Sequence, residues 1–118
     1  MKARISRIIL FVRDVSRVAA FYEKHFGLRP LDRSEDGWLE LAADGCNLAL
    51  HRAPTTSRER ARSPAKIVFA VADVHAAKLR FASAGLKFGK VHEVADFAFA
   101  NARDPEGNPI QISSRGVR

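Results

Sequence analysis

"RIILFVRDVSRVAAFYEKHFGL", residues 7–28, has a counterpart later in the chain: "KIVFAVADVHAAKLRFASAGL", residues 66–86. Arg7 aligns with Lys66, Ile8 with Ile67, Val12 with Val71, Asp14 with Asp73 and Val15 with Val74, all at an offset of 59. Gly27 matches Gly85 at an offset of 58, so the second copy has one residue fewer before its glycine. In each copy an apolar run ends at an aspartate, the pattern of a strand feeding a helix N-cap. Val15, Val18, Ala19, Tyr22 and Phe26 then form one stripe at helical spacing, and Val74, Ala77, Phe81 and Ala84 form the other. Both helices are expected to stop at a glycine followed by leucine, where a left-handed residue closes the last turn.

Outward from these helices, each copy continues into three short strand candidates. They fall at about 29–34, 37–43 ("GWLELAA") and 46–52 ("CNLALHR") in the first half. In the second half they fall at about 86–90, 96–102 ("DFAFANA") and 108–113. The turns "SEDG", "ADG" and "DPEGN" between them are polar or glycine-bearing. Each half therefore reads as β-α-β-β-β, which makes the fold class α+β. One such unit cannot cover both faces of its sheet with a single helix. Two units side by side are expected to form a curved mixed sheet with helices outside and a concave inner face. The expected organisation is a single domain over 1–118, with module 1 at about 1–53, a linker at 54–64 and module 2 at about 65–118.

Bulk properties narrow the classes of function. The 118 residues are 47% hydrophobic and 28% charged, an ordinary globular composition. The formal net charge of +7 raises a nucleic-acid footprint as one reading. The cations are spread along the chain, however. Their one cluster, "HRAPTTSRERARSPAK" (51–66), is rich in Pro, Ser and Thr and has no interleaved aromatic for stacking. It reads as a connection, and no nucleic-acid partner is expected. No apolar run reaches the ~20 residues of a membrane span, and "MKARISRIILFVRD" is too short and too charged for a secretory signal. The single Cys46 excludes an internal disulfide framework and suits a reducing compartment. The expected location is cytoplasmic.

Paired βαβββ modules, "FVRDVSRVAAFYEKHFGL" near the start and "ARDPEGNPIQIS" at the end resemble the vicinal oxygen chelate superfamily over the whole chain. This is the glyoxalase, bleomycin resistance and extradiol dioxygenase group. The resemblance implies either a metal-dependent enzyme or a metal-free protein that binds and sequesters small molecules. Metal-bearing members place His or Glu at four inner-face positions, which correspond here to Arg7, Ala49, Lys66 and Gln111. None of these is a usual metal ligand, and the two cations would repel a divalent ion. No metal and no other cofactor is expected.

Strand alternation from those positions assigns the inner face. Ile9 and Phe11 follow Arg7, Asn47 and His51 flank Ala49, and Val68 and Ala70 follow Lys66. Leu39 and Leu41 suit the helix side, which turns Trp38 and Glu40 inward. Phe97, Phe99 and Asn101 are placed inward as well. Cys46 falls on the helix side as an inert small hydrophobe, and His25, His75 and His92 are read as surface residues on helices or a loop. The candidate ligand-binding set is Arg7, Phe11, Trp38, Glu40, Asn47, His51, Lys66, Phe97, Phe99 and Gln111: apolar walls with a few directional polar groups. Four members have a structural alternative: Lys66 can snorkel to solvent and His51 can be structural or exposed, while the other two are Arg7 and Trp38. Arg7 is either a ligand cation or the partner of Glu40, and Trp38 either stacks on a ligand or packs in the core.

The leading expectation is a metal-independent, homodimeric binding protein for an anionic or aromatic ligand, with no catalytic residue. Arg7 and Lys66 occupy equivalent places, so the two cations are expected to share one cleft. The alternative is a glyoxalase-like lyase or isomerase, or a dioxygenase-related enzyme, with metal held by displaced ligands such as His51 and Glu40, or with His51 alone as acid–base.

Overall fold

Asp14 and Asp73 set where the two helices begin. The Asp14 carboxylate accepts the Arg17 N–H at 3.0 Å, and Asp73 accepts that of Ala76 at 3.0 Å. Each bond satisfies one of the donors that a helix start leaves open. Helix α1 runs Val15–Phe26 and α2 runs Val74–Ser83. α1 closes on Gly27 at φ 66°, whose N–H reaches the Glu23 carbonyl at 3.1 Å. In α2 the cap is Ala84 at φ −93°, and Gly85 at φ 92° takes the left-handed position one step later. The Leu86 N–H then meets the Phe81 carbonyl at 2.9 Å. Both Gly-Leu pairs end a helix, as their pattern predicts.

The computed structural model describes residues 1–32, 36–53 and 65–117. The expected linker at 54–64 lies outside the described residues. The strands are β1 (Arg7–Val12), β2 (Arg29–Asp32), β3 (Trp38–Ala42), β4 (Asn47–Arg52), β5 (Ile67–Ala70), β6 (His92–Val94), β7 (Phe97–Arg103) and β8 (Pro109–Ser113). They form two four-stranded sheets, ordered β1-β4-β3-β2 and β5-β8-β7-β6. β1–β4 and β5–β8 pair in parallel, and the remaining pairs are antiparallel. The chain divides into two compact units, Met1–Ser63 and Pro64–Arg118, each with one mixed sheet and one helix. This is the α+β, twice-repeated βαβββ arrangement that the repeat implies.

One strand differs from its expectation. Residues 86–90 are irregular, and the pairing strand forms at 92–94 instead. Leu86 and Phe88 alternate like strand residues, but both are buried, with the Phe88 ring 5.3 Å from that of Phe81 on α2. A single backbone bond, Gly89 N–H to the Asn101 carbonyl at 2.8 Å, ties this segment to β7. His92, read as a loop or helix residue, therefore lies in β6.

The helix-facing layer of the first unit packs Leu10, Val12, Leu39, Leu41, Leu48 and Leu50 against Val18, Ala19 and Tyr22, all buried. Ile8 has the same parity yet is 44% exposed, because α1 packs chiefly on β2, β3 and β4. In the second unit Ala100, Ile110 and Ile112 are fully buried, but Val74 is the only buried residue of α2. The stripe expected on α2 is half realised, with Ala77 and Phe81 intermediate and Ala84 exposed. Leu86 and Phe88, which follow the helix, are more deeply buried than any residue of α2 except Val74. Each sheet thus keeps a second, open face, on which Ile9, Phe11 and Val68 are 43%, 44% and 52% exposed.

Candidate functional site

On the open face of the first sheet the register aligns Phe11, His51 and Trp38 in one row across β1, β4 and β3. The His51 ring lies 5.4 Å from Phe11 and 5.6 Å from Trp38, tilted to the first and edge-on to the second. Such geometry is favourable for aromatic pairs. The next row holds Ile9, Ala49 and Glu40. Arg7 Nε donates to Glu40 Oε1 at 3.1 Å, and Asn47 Nδ2 donates to Glu40 Oε2 at 3.0 Å. Both carboxylate oxygens are therefore engaged. The bond from Asn47 is the largest influence on the Glu40 carboxyl and lowers its pKa; partial burial opposes it, and Arg7 adds a further lowering. Of the two readings open for Arg7, the ion pair is the one formed.

The second sheet repeats this layout with different chemistry. Val68, Gln111 and Asn101 form a row across β5, β8 and β7, where the first sheet has Ile9, Ala49 and Glu40. Lys66 Nζ donates to Asn101 Oδ1 at 3.1 Å, and Gln111 Nε2 donates to the same oxygen at 3.0 Å. The cation of this unit is held by a neutral amide. Among the described residues, Lys66 has no carboxylate partner. Phe99 stacks on His92 with centroids 4.9 Å apart and with Phe97 at 6.3 Å, while the Arg115 guanidinium lies 5.1 Å above the Phe97 ring. Phe97, Phe99 and Asn101 share the open face, as their assigned parity requires.

His92 and Arg115 were missed by sequence reasoning. The parity of His92 becomes readable only once β6 is known to start at 92, and nothing in the sequence around Arg115 sets it apart from the other cations spread along the chain. His25 and His75 lie on α1 and α2, and His75 Nε2 meets Glu93 Oε1 at 2.8 Å at the surface.

The terminal motif "DPEGNPIQIS" has a structural job. The Asp104 carboxylate accepts the backbone N–H groups of Glu106 and Asn108, both at 2.9 Å, and the Asn108 side-chain amide at 2.9 and 3.1 Å. Asp104 is 5% exposed and Asn108 1%. This closed turn joins β7 to β8 and fixes the register that sets Gln111 opposite Asn101.

The first unit also has a cavity of about 370 Å³ between the β1–α1 turn and the start of β3. Arg13, Asp14, Ser16, Trp38 and the Asp36–Arg52 ion pair (3.0 Å) line it, so its charges are matched within its own wall.

Arg7, Ala49, Lys66 and Gln111, the positions that the resemblance assigns to metal ligands, offer a guanidinium, a methyl, an ammonium and a carboxamide. That set does not fit a divalent ion. Among the described residues, no group of three or more His, Cys, Asp or Glu side chains is placed to hold one. No described helix is long and apolar enough to cross a membrane.

No curated protein matches the chain in sequence. Solved structures do share its fold. UcmS2 superposes with a TM-score of 0.80 at 22% identity, covering 97% of this chain and 99% of that one. TnmS3, an antibiotic binding protein from Streptomyces sp. CB03234, gives 0.75 at 22% identity, with 94% of each chain covered. A lactoylglutathione lyase from Agrobacterium tumefaciens gives 0.74 at 20% identity, with 95% and 93% covered. At such identities these likenesses speak for fold alone. Residues 4–112, however, match the family described as Glyoxalase/Bleomycin resistance protein/Dioxygenase superfamily. With two βαβββ units and that match over nearly its whole length, the chain belongs to this superfamily.

Proposed function

We propose that the protein is a metal-independent binding protein, cytoplasmic and homodimeric, that holds a small aromatic or anionic organic molecule. Each unit offers its own candidate contacts on its open sheet face: Phe11, Trp38 and His51 beside Arg7, Glu40 and Asn47 in the first, and Phe97 and Phe99 beside Lys66 and Gln111 in the second. The observation that carries this reading is the donor chemistry. A cation, a methyl, a second cation and an amide occupy the places where a metal enzyme of this family needs carboxylate or imidazole. The existence of an antibiotic binding protein with the same fold is consistent with it. The enzyme alternative needs Glu40 or His51 as ligand or base. Glu40 has both oxygens committed to Arg7 and Asn47, and His51 packs between two rings. Elemental analysis of protein purified without chelator should return far less than one divalent metal per chain. One metal per chain, lost in His51→Ala or Glu40→Gln, would overturn the proposal in favour of a displaced metal site.

A further inference from the structure

We infer that the acid group of a ligand is bound by the second unit, at Lys66 with the side-chain amides of Asn101 and Gln111. The inference rests on the small-molecule reading above and adds where the charge goes. Arg7 and Lys66 hold equivalent places in the repeat, but their surroundings differ in sign. In the first unit Glu40 takes the Arg7 Nε–H at 3.1 Å, so the positive charge already has its counterion. In the second unit the equivalent of Glu40 is Asn101, a neutral amide. Its Oδ1 receives both Lys66 Nζ and Gln111 Nε2, and two donors use both lone pairs of that oxygen. An approaching anion therefore meets no free acceptor there. It meets instead the two remaining N–H bonds of the lysine ammonium and the second N–H of the Gln111 amide.

The same face supplies a place for a ring. Phe99 lies two residues from Asn101 on the same side of β7, about 7 Å along the strand. It is backed by His92 at 4.9 Å and followed by Phe97. Apolar aromatic surface and an uncompensated cation thus lie side by side on one sheet, within the span of one small planar acid. The ligand class this selects is an aromatic carboxylate.

Benzoate and benzamide have nearly the same shape and differ in charge, so paired calorimetric titrations isolate the charge term. The wild-type protein should bind benzoate about tenfold or more tightly than benzamide, the scale of a hydrogen bond to a charged group. Lys66→Met should erase that preference, and Lys24→Met, which removes an equal charge on α1, should leave it intact. In wild-type amide spectra, the side-chain NH₂ signals of Asn101 and Gln111 should move with benzoate and stay still with benzamide. This readout needs no variant to fold. Equal affinity for the two probes overturns the inference and leaves aromatic binding standing, as does a preference that survives Lys66→Met or vanishes in Arg7→Met instead. If neither probe binds, the inference falls together with the reading beneath it.

Discussion

Among the described residues, His25 Nδ1 is buried with no hydrogen-bond partner, beside Phe21 at a centroid distance of 4.9 Å. Burial, and secondarily the neighbouring Lys24 charge, push the imidazole pKa below its ordinary 6.5. The sign of the pH effect follows. The folded state favours neutral His25, so its share of stability is complete above the unfolded-state value and is lost as pH falls below it toward the folded one. Urea denaturation should therefore show a decline in stability from about pH 7 to about pH 5, and His25→Leu should flatten it. An unchanged slope in the variant would assign the decline to other groups. At this scale the sequence was informative where a side chain has one plausible partner. The Arg7–Glu40 pair was readable because strand parity turns both to one face. The buried nitrogen of His25 was not, since a histidine in the last turn of a helix reads as a surface residue, and only packing shows which ring atom is covered.

At the scale of elements, turns and caps carry specificity that apolar patterns do not. The Asp104 carboxylate accepts the backbone N–H groups of Glu106 and Asn108 and two bonds from the Asn108 side-chain amide. Asn108→Ala should cost roughly 1–3 kcal/mol in urea denaturation, because it strips donors from a buried carboxylate. A loss under about 0.5 kcal/mol would show that water replaces the amide without penalty. Gly27 isolates a different effect. A Cβ there would meet nothing within 4 Å, yet the residue sits at φ 66°. Gly27→Ala should then lower stability by roughly 1 kcal/mol through backbone conformation alone, and a thermal melt that rises would contradict this. Caps at Asp14, Asp73 and Gly27 were legible because one residue type answers one local need. The strand at 92–94 was missed for the opposite reason. Alternation at Leu86 and Phe88 is produced equally by pairing and by two side chains dipping under a shallow helix, and only the seating of α2 separates them.

For the whole molecule, the repeat determined most of what could be read: two units, their chain order and their mixed sheets. What remained hidden was how far the copies had diverged, because α2 has the stripe of a buried helix and the seating of a surface one. β1 and β5 are edge strands, and Ile9, Phe11 and Val68 leave half-exposed apolar surface on the open faces, features that a two-fold assembly buries. Light scattering at micromolar concentration should give about twice the 13.1 kDa chain mass; the monomer mass would refute a dimer. The shared oxygen of Asn101 has an evolutionary consequence. Asparagine and aspartate codons differ at one base, so a single point mutation could give Lys66 the counterion that Arg7 already has. Neutralisation of the Lys66 cation is thus one mutational step away, at a site where the backbone need not change. A duplicated sheet of this kind lets one copy change its charge while the other keeps its own.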